Sequence, residues 1–309
     1  MSIKARKQLA FLLRGVDVKK YIDTGAAGFL GYSVVSELLA KGHYVYALVR
    51  PGSKHNERLK GLKNMEIIEG DIYANNYLPM WSRDKCDSLI HLAAQGARFD
   101  EKAQAGNVAA GLKMVDLAVL AGCKRIIYTG SQAEYGATRE IQSENMPVNP
   151  FCPYGKAKVE LCNKSKAAAE ENNLEWIWGR VFSVYGMYEP GSRMLPQLIT
   201  AMKNGEEYKL SSGTQNWDYI EAGDAAAAII ALTERGKSGE IYNIANGDYK
   251  PLKEFAETVR EHYNKGRIIY GEDPNPYVSL QPSVEKLKRD TGWSPRKIFS
   301  DSLDYEISK

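Results

Sequence analysis

A tyrosine and a lysine stand four residues apart at Tyr154 and Lys158, directly after Pro153. On a helix this spacing places both side chains on one face. A free phenol has a pKa of about 10, and a neighbouring ammonium group lowers that pKa because it favours the phenolate. The pair therefore predicts a group that donates or accepts a proton at a carbonyl or hydroxyl oxygen.

The same spacing recurs at Tyr249 and at Tyr305, so spacing alone is weak support for a catalytic pair. Position in the chain distinguishes Tyr154, because it opens a predicted helix and follows Ser131, which ends a predicted strand. The Ser131 hydroxyl could hydrogen-bond the same substrate oxygen as the phenol. Lys158 could also hold the ribose of a nicotinamide cofactor, which would itself supply the hydride.

Three glycines, Gly25, Gly28 and Gly31, lie between a short predicted strand and a predicted helix. In that context the first glycine permits a tight turn, the second lets backbone amides approach a pyrophosphate, and the third lets the helix pack on the sheet. The N-terminus of the helix adds free N–H groups and a partial positive charge. The turn therefore predicts a dinucleotide site, with a purely structural turn as the alternative.

The end of the second predicted strand bears on the choice of cofactor. Arg50 stands there with Ser53 close behind, and residues 44–49 contain no acid. An acid would bind the free ribose hydroxyls of NAD, whereas an arginine accommodates the extra phosphate of NADP. We therefore expect NADP, with NAD or a solvated loop charge as the alternatives, and we expect Asp71 to accept from the adenine amino group.

These residues require a scaffold of alternating strands and helices. Short apolar runs alternate with predicted helices of 10–15 residues, which is typical of parallel strands joined by crossover helices. The runs cover residues 21–22, 44–49, 66–71, 88–94, 124–130 and 176–181, and the predicted helices cover 32–41, 107–121 and 154–172. The pattern predicts an α/β fold with a doubly wound parallel sheet (Rossmann), whose ligands lie at the carboxyl ends of the strands.

After residue 182 prolines, glycines and tyrosines become more frequent, which indicates a smaller C-terminal substrate-binding lobe. We predict a dinucleotide-binding domain over 18–182, to which 217–245 returns. The substrate lobe would combine 183–216 with 246–309. Residues 1–17 form an N-terminal extension rich in basic side chains, which we interpret as a short basic helix or a frayed segment.

Composition excludes several classes of protein. The 309 residues carry a net charge of +3, so no polyanionic partner such as nucleic acid is indicated. No apolar run approaches the roughly 18–20 residues of a membrane span. The four cysteines lack CxxC spacing and the four histidines are isolated, so no metal site is predicted. Scattered thiols without a secretory signal predict a reduced, cytoplasmic protein.

Several motifs in the right order resemble one family. They are Thr24–Gly31 as TGxxGxxG, Gly70-Asp71-Ile72, His91–Ala94, Asn107-Val108, Ser131 ahead of Tyr135-Gly136, Tyr154 with Lys158, Arg180–Gly186, Trp217–Ile220 with Asp224, and Thr291–Pro295. The chain resembles the extended short-chain dehydrogenase/reductase family, in its group of NAD(P)-dependent nucleotide-sugar epimerases, dehydratases and reductases.

This resemblance implies a catalytic set of Ser131, Tyr154 and Lys158, a nucleotide-sugar substrate, and a homodimer packed through the helices near 107–121 and 154–172. Besides Gly25, Gly28, Arg50, Ser53 and Asp71, the expected cofactor contacts are Ala27, Phe29, Leu30, Ile72, Leu92, Ala93, Ala94 and Lys158. The expected substrate contacts are Gln95, Gln132, Ser183, Arg193 and Trp217.

The chain departs from the family at informative positions. Gln132 and Ala133 stand where the dehydratases have an Asp-Glu pair, so elimination of water is not expected. Ser183 and Trp217 replace an Asn and an Arg that commonly contact the substrate diphosphate. Arg193 could compensate, and Trp217 could stack on a sugar or base or simply belong to the core.

The sequence therefore supports three hypotheses about function. The leading hypothesis is an NADPH-dependent reductase of a 4-keto-deoxy nucleotide sugar. The alternative is an NAD-dependent nucleotide-sugar 4-epimerase, and a third possibility is a catalytically silent dinucleotide-sensing protein, against which the intact Tyr154 and Lys158 argue. Asp23, next to the glycine turn in a strand expected to be buried, has no explanation from the sequence.

Overall fold

A computed structural model describes residues 17–74, 81 and 83–308 of the chain. Most of the basic N-terminal extension, residues 1–16, lies outside this described part, so its interpretation as a helix or a frayed segment stays a prediction.

The strands are β1 Lys20–Thr24, β2 Tyr44–Val49, β3 Met65–Glu69, β4 Ser88–His91, β5 Arg125–Ser131, β6 Glu175–Val181, β7 Ser183–Tyr185, β8 Glu207–Leu210, β9 Asn216–Trp217, β10 Tyr219–Glu221, β11 Glu240–Ile244, β12 Lys250–Pro251 and β13 Arg267–Tyr270. The α-helices are α1 Phe29–Ala40, α2 Glu101–Leu120, α3 Pro153–Glu171, α4 Met194–Asn204, α5 Ala222–Arg235, α6 Leu252–Tyr263 and α7 Glu285–Thr291.

Seven parallel strands form the central sheet in the order β11-β6-β5-β4-β1-β2-β3. A buried cluster with α1 and α5 covers one face, and a second buried cluster with α2 and α3 covers the other. Because both faces are covered, the strands read as continuous apolar runs rather than alternating ones. The predicted doubly wound parallel sheet is confirmed.

Helix α2 begins earlier than the sequence pattern indicates. The predicted start near residue 107 is wrong, because the helix begins at Glu101. The Asp100 side chain caps it by accepting from the backbone N–H of Ala103 at 3.0 Å. Such a cap satisfies one of the orphan donors of the first turn and fixes the helix start in a stretch without strong apolar periodicity.

Residues beyond β6 build short two-stranded sheets, β7 with β10, β9 with β12 and β8 with β13. An aromatic cluster packs them against α4 and α6, with Tyr219 stacked on Phe299 at 5.5 Å between ring centroids. Strand β11 instead joins the large sheet beside β6. The division into a dinucleotide-binding domain and a substrate lobe stays a prediction.

The four cysteines are buried and none is bonded to another, as expected for small core side chains. Within the described ranges, no group of three His, Cys, Asp or Glu side chains could hold a metal ion. None of the helices described for this chain is both long and apolar enough to span a bilayer.

Asp23 lies on β1 between Ala47 and Ile90 of the neighbouring strands and is completely buried. Neither carboxylate oxygen has a hydrogen-bond partner among the described residues. Burial without a partner raises the pKa of this carboxyl well above its ordinary value. The side chain is therefore held in the neutral form and costs stability.

We expect Asp23→Val to raise the free energy of unfolding by about 1–3 kcal/mol at neutral pH, the cost of an unsatisfied buried polar group. The gain should grow as pH rises above about 4, because the unfolded carboxyl ionises there while the folded one keeps its proton. Urea unfolding at two pH values measures it, with Asp23→Asn as the control that keeps a buried polar group. A loss of stability, or a gain of equal size at both pH values, would contradict this interpretation.

Candidate active site

A cavity of about 1130 Å³ opens at the carboxyl ends of the central strands. The glycine turn after β1, the exits of β2, β4 and β5, and the first turns of α3 line one side of it. Residues of 181–219 line the other side, together with Leu252. Its place at the strand ends is where doubly wound folds bind their ligands.

Three glycines shape the turn between β1 and α1. Gly25 adopts a φ of +88°, and a Cβ there would lie 2.9 Å from the backbone nitrogen of Ala93. A Cβ on Gly31 would meet the Gly25 carbonyl oxygen at 2.1 Å. Gly28 is the N-cap of α1 and provides no side-chain cap, so the first-turn amides can face an anion. The turn therefore fits a dinucleotide pyrophosphate.

Every expected cofactor contact lies on this cavity. Arg50 and Ser53 lie at the exit of β2 and Asp71 after β3. Sequence reasoning missed His55, Asn56 and Tyr73, which also line the cavity. A local signal existed for His55 and Asn56, because both belong to the short 3₁₀ helix that the Ser53 side chain caps.

Gln95 is the expected substrate contact that the structure places elsewhere. It is not among the residues that line the cavity. Its side-chain oxygen instead lies 3.5 Å from Nη2 of Arg50. Asn107 fixes this orientation because it exchanges two hydrogen bonds with the Gln95 backbone, of 2.9 and 3.0 Å.

Tyr154 and Lys158 occupy successive turns at the start of α3. Pro153 is the first residue of this helix, a position that proline's fixed φ favours. The Lys158 Nζ lies 5.8 Å from the centre of the Tyr154 ring. It also donates to the Thr129 carbonyl oxygen at 2.6 Å, which anchors a buried ammonium group on β5. Burial and the charge of Lys158 lower the pKa of His91 to about 3.

Ser131 ends β5 and faces the same cavity as Tyr154 and Lys158. Its hydroxyl oxygen accepts from the backbone N–H of Ala133 at 3.2 Å. Its backbone N–H donates to the Glu134 carboxylate at 2.8 Å. The fold thus brings a hydroxyl, a phenol and an ammonium group from two elements to one cavity that also holds the glycine turn.

Of the other expected substrate contacts, Gln132, Ser183, Arg193 and Trp217 line the cavity. The Arg193 guanidinium lies 5.3 Å from the centre of the Phe29 ring, and its Nη1 donates to the Val184 carbonyl oxygen. Arg193 therefore reaches from the far side of the cavity to the glycine turn.

Three buried polar atoms that lack hydrogen-bond partners belong to side chains that line the cavity. The buried atoms Gln132 Oε1, Gln215 Oε1 and Trp217 Nε1 have no hydrogen-bond partner among the described residues. Buried polar atoms in folded proteins are nearly always paired, so three such atoms on cavity-lining side chains indicate a polar ligand. Gln215 was missed by sequence reasoning because nothing local marks it.

Glu189 is a further cavity residue that sequence reasoning missed. It is buried and accepts from the Tyr305 hydroxyl at 2.7 Å, while its other oxygen lies 3.8 Å from Nη1 of Arg193. Burial raises the pKa of its carboxyl to about 7, and the Tyr305 hydrogen bond and the Arg193 charge limit that rise. The only local signal was its spacing of four residues from Arg193.

Comparison with known proteins gives consistent matches. A family model described as the NAD dependent epimerase/dehydratase family matches residues 23–245. A dTDP-6-deoxy-L-talose 4-dehydrogenase (NAD(+)) from Aggregatibacter actinomycetemcomitans is 29% identical over 262 residues, which cover 82% of this chain and 94% of that protein. A UDP-glucose 4-epimerase from Corynebacterium glutamicum is 25% identical over 303 residues, covering 89% and 91%.

Solved structures share the fold. An epimerase from Methanothermobacter thermautotrophicus superposes with a TM-score of 0.84 at 22% identity, covering 94% of this chain and 91% of that one. At this identity the likeness speaks for the architecture alone.

Proposed function

Because this chain belongs to the NAD-dependent epimerase/dehydratase family and is an NAD(P)-dependent enzyme of the extended short-chain dehydrogenase/reductase type, we propose that it reduces a sugar ketone with NADPH. The substrate we propose is a 4-keto-deoxy nucleotide sugar. The observation that carries this proposal is the meeting of Ser131, Tyr154 and Lys158 in the cavity formed by the glycine turn. Gln132 and Ala133 provide no acid–base pair for dehydration.

In this mechanism the bound nicotinamide supplies the hydride that reduces the carbonyl carbon. The Ser131 hydroxyl donates a hydrogen bond to the carbonyl oxygen and orients it. The Tyr154 hydroxyl then gives its proton to that oxygen, which leaves an alcohol and a phenolate. Lys158, held by the Thr129 carbonyl, stabilises the phenolate until solvent returns the proton.

The substrate diphosphate is proposed to bind near Arg193, which takes over from the family arginine that Trp217 replaces. The unpaired Trp217 Nε1 and Gln215 Oε1 could then pair with polar groups of the same ligand. Glu189 lies beside Arg193 and changes charge near neutral pH. Binding of an anionic substrate should therefore depend on pH.

We expect KM for the sugar substrate to rise about fivefold between about pH 6 and about pH 8, which corresponds to about 1 kcal/mol. The neutral Glu189 carboxyl leaves Arg193 available to phosphate, whereas the ionised carboxylate competes with phosphate for it. Glu189→Gln should keep the low-pH value of KM throughout, with kcat little changed. Steady-state kinetics at a series of pH values measures both variants.

The other groups that face Glu189 are Tyr305 and Tyr219, whose pKa values burial raises, so neither titrates in this range. A rise in KM that persists unchanged in Glu189→Gln would show that another group is responsible.

The reductase is tested with purified protein, NADPH and a panel of dTDP-, UDP-, CDP- and GDP-linked 4-keto-6-deoxy sugars. We expect one mole of NADPH to be consumed for each mole of alcohol formed. The similarity to the 4-epimerase from Corynebacterium glutamicum favours the alternative, an NAD-dependent nucleotide-sugar 4-epimerase. Tightly retained NAD, interconversion of two nucleotide sugars and no net NADPH consumption would establish that alternative.

A homodimer packed through α2 and α3 completes the proposal. These helices lie side by side on one face of the sheet, and the large apolar side chains of Val119 and Leu120 at the end of α2 are exposed. Sedimentation equilibrium should give twice the chain mass, and a monomer at micromolar concentration would contradict it.

A further inference from the structure

Glu134 is a completely buried carboxylate directly behind the catalytic serine. Its Oε1 accepts from the Ser131 backbone N–H at 2.8 Å and from the Trp178 indole N–H at 3.0 Å. Its Oε2 accepts from Nε of Arg180 at 2.7 Å. The carboxylate therefore joins the end of β5 to β6 through three donors, one of them charged.

Gly130 leaves room for this carboxylate because it has no side chain. A Cβ on Gly130 would lie 2.1 Å from Nε1 of Trp178 and 2.4 Å from Oε1 of Glu134. Glycine inside a strand weakens it and commonly marks a close approach by another group. Here the approaching groups are the carboxylate and the indole.

Arg180 is itself held rigidly on the other side of the carboxylate. Its guanidinium lies 4.6 Å from the centre of the Tyr135 ring, and its Nη1 donates to the Glu144 carbonyl oxygen. The Tyr135 hydroxyl donates in turn to Asn243 at 2.7 Å. Glu134 thus has a fixed partner and cannot easily move away from Ser131.

We propose that Glu134 is a positioning residue that sets the Ser131 hydroxyl for catalysis. The carboxylate holds the Ser131 N–H, and the Ser131 oxygen accepts from the Ala133 N–H, so the two hydrogen bonds form a capping box around residues 131–134. A hydroxyl whose oxygen already accepts a hydrogen bond keeps its single proton available. That proton is then directed to a substrate oxygen. This inference rests on the role proposed above for Ser131.

A purely structural ion pair and a positioning residue differ in a double-mutant cycle with Ser131→Ala. A positioning residue acts only through Ser131, whereas a structural residue lowers activity whichever side chain stands at 131. The readouts are kcat, KM for both substrates, and the midpoint of thermal unfolding.

We expect Glu134→Leu, which removes the acceptor for the Ser131 N–H, to lower kcat about tenfold, with both KM values changed less than about twofold, because a displaced catalytic group costs rate rather than binding. In the Ser131→Ala background the same substitution should change kcat less than about twofold. Asp224→Leu is the matched control, since Asp224 is a buried carboxylate that accepts from two backbone N–H groups away from the cavity. It should lower the unfolding midpoint and leave kcat unchanged.

An equal loss of kcat from Glu134→Leu in both backgrounds, or no loss in the wild-type background, overturns the inference while leaving the proposed function intact. A Ser131→Ala variant with undiminished kcat overturns the role of Ser131, and the positioning role with it. Where Glu134→Leu does not fold, the pair Glu134→Leu/Arg180→Met replaces the ion pair with apolar side chains and leaves no unpaired buried charge. The cycle is then carried out with that pair against Ser131→Ala.

Discussion

Tyr154→Phe is expected to lower kcat for ketone reduction by about 10²–10⁴-fold, the range that a positioned general acid contributes. The substitution removes one hydroxyl and keeps the aromatic ring at the start of α3, so binding of NADPH should change less than about twofold. Rapid-mixing measurement of a single turnover separates the loss in chemistry from any loss in binding. The unfolding midpoint should remain that of the wild type.

Tyr249→Phe is the matched control, because Tyr249 also has a lysine four residues later but does not line the cavity. It should retain full activity. If Tyr154→Phe kept more than a tenth of wild-type kcat, the phenol would not be the proton donor.

Arg50→Glu is expected to raise KM for NADPH by about 10²-fold and to lower KM for NADH. The guanidinium can bind the ribose phosphate of NADP with two parallel hydrogen bonds, whereas a carboxylate repels phosphate and accepts from the free ribose hydroxyls of NAD. The wild-type enzyme should prefer NADPH over NADH by a similar factor. Initial rates with both cofactors and one keto sugar give both ratios.

Lys60→Glu changes the net charge by the same amount in the same loop and serves as the control, since Lys60 is exposed and paired with Glu57. Its cofactor preference should equal that of the wild type. A wild-type preference for NADH, or an equal loss with both cofactors in Arg50→Glu, would contradict phosphate recognition by Arg50 and favour NAD as the cofactor.

Features encoded by neighbouring residues could be predicted from the sequence. The glycine turn is one, because the clash that excludes a Cβ at Gly31 is with the backbone of Gly25 and Ala26 in the same turn. The start of α3 is another, because Pro153 is favourable at the first position of a helix. The doubly wound sheet followed from the alternation of apolar runs and helices, which the sheet order confirms.

Features that depend on distant partners could not be predicted. The buried Glu134 carboxylate has its hydrogen-bond partners in Trp178 and Arg180, which lie more than forty positions further along the chain. Glu189 becomes a buried, titratable group only when Tyr305 packs beside it. The Gln95 side chain lies beside Arg50 because Asn107, twelve residues away, holds its backbone, so its expected contact with the substrate stays a prediction. In each case the sequence identifies the chemical group of the side chain, whereas its hydrogen-bond partners are determined only by the folded structure.

Above all, we propose that the Tyr154 hydroxyl gives its proton to the oxygen of the substrate carbonyl whose carbon receives the nicotinamide hydride. A crystal structure with NADP⁺ and the alcohol product tests it most directly. We expect the Tyr154 and Ser131 oxygens both to lie within about 2.6–3.2 Å of the substrate oxygen. A Tyr154 hydroxyl that points away from the nicotinamide, or a nicotinamide bound outside this cavity, would contradict it.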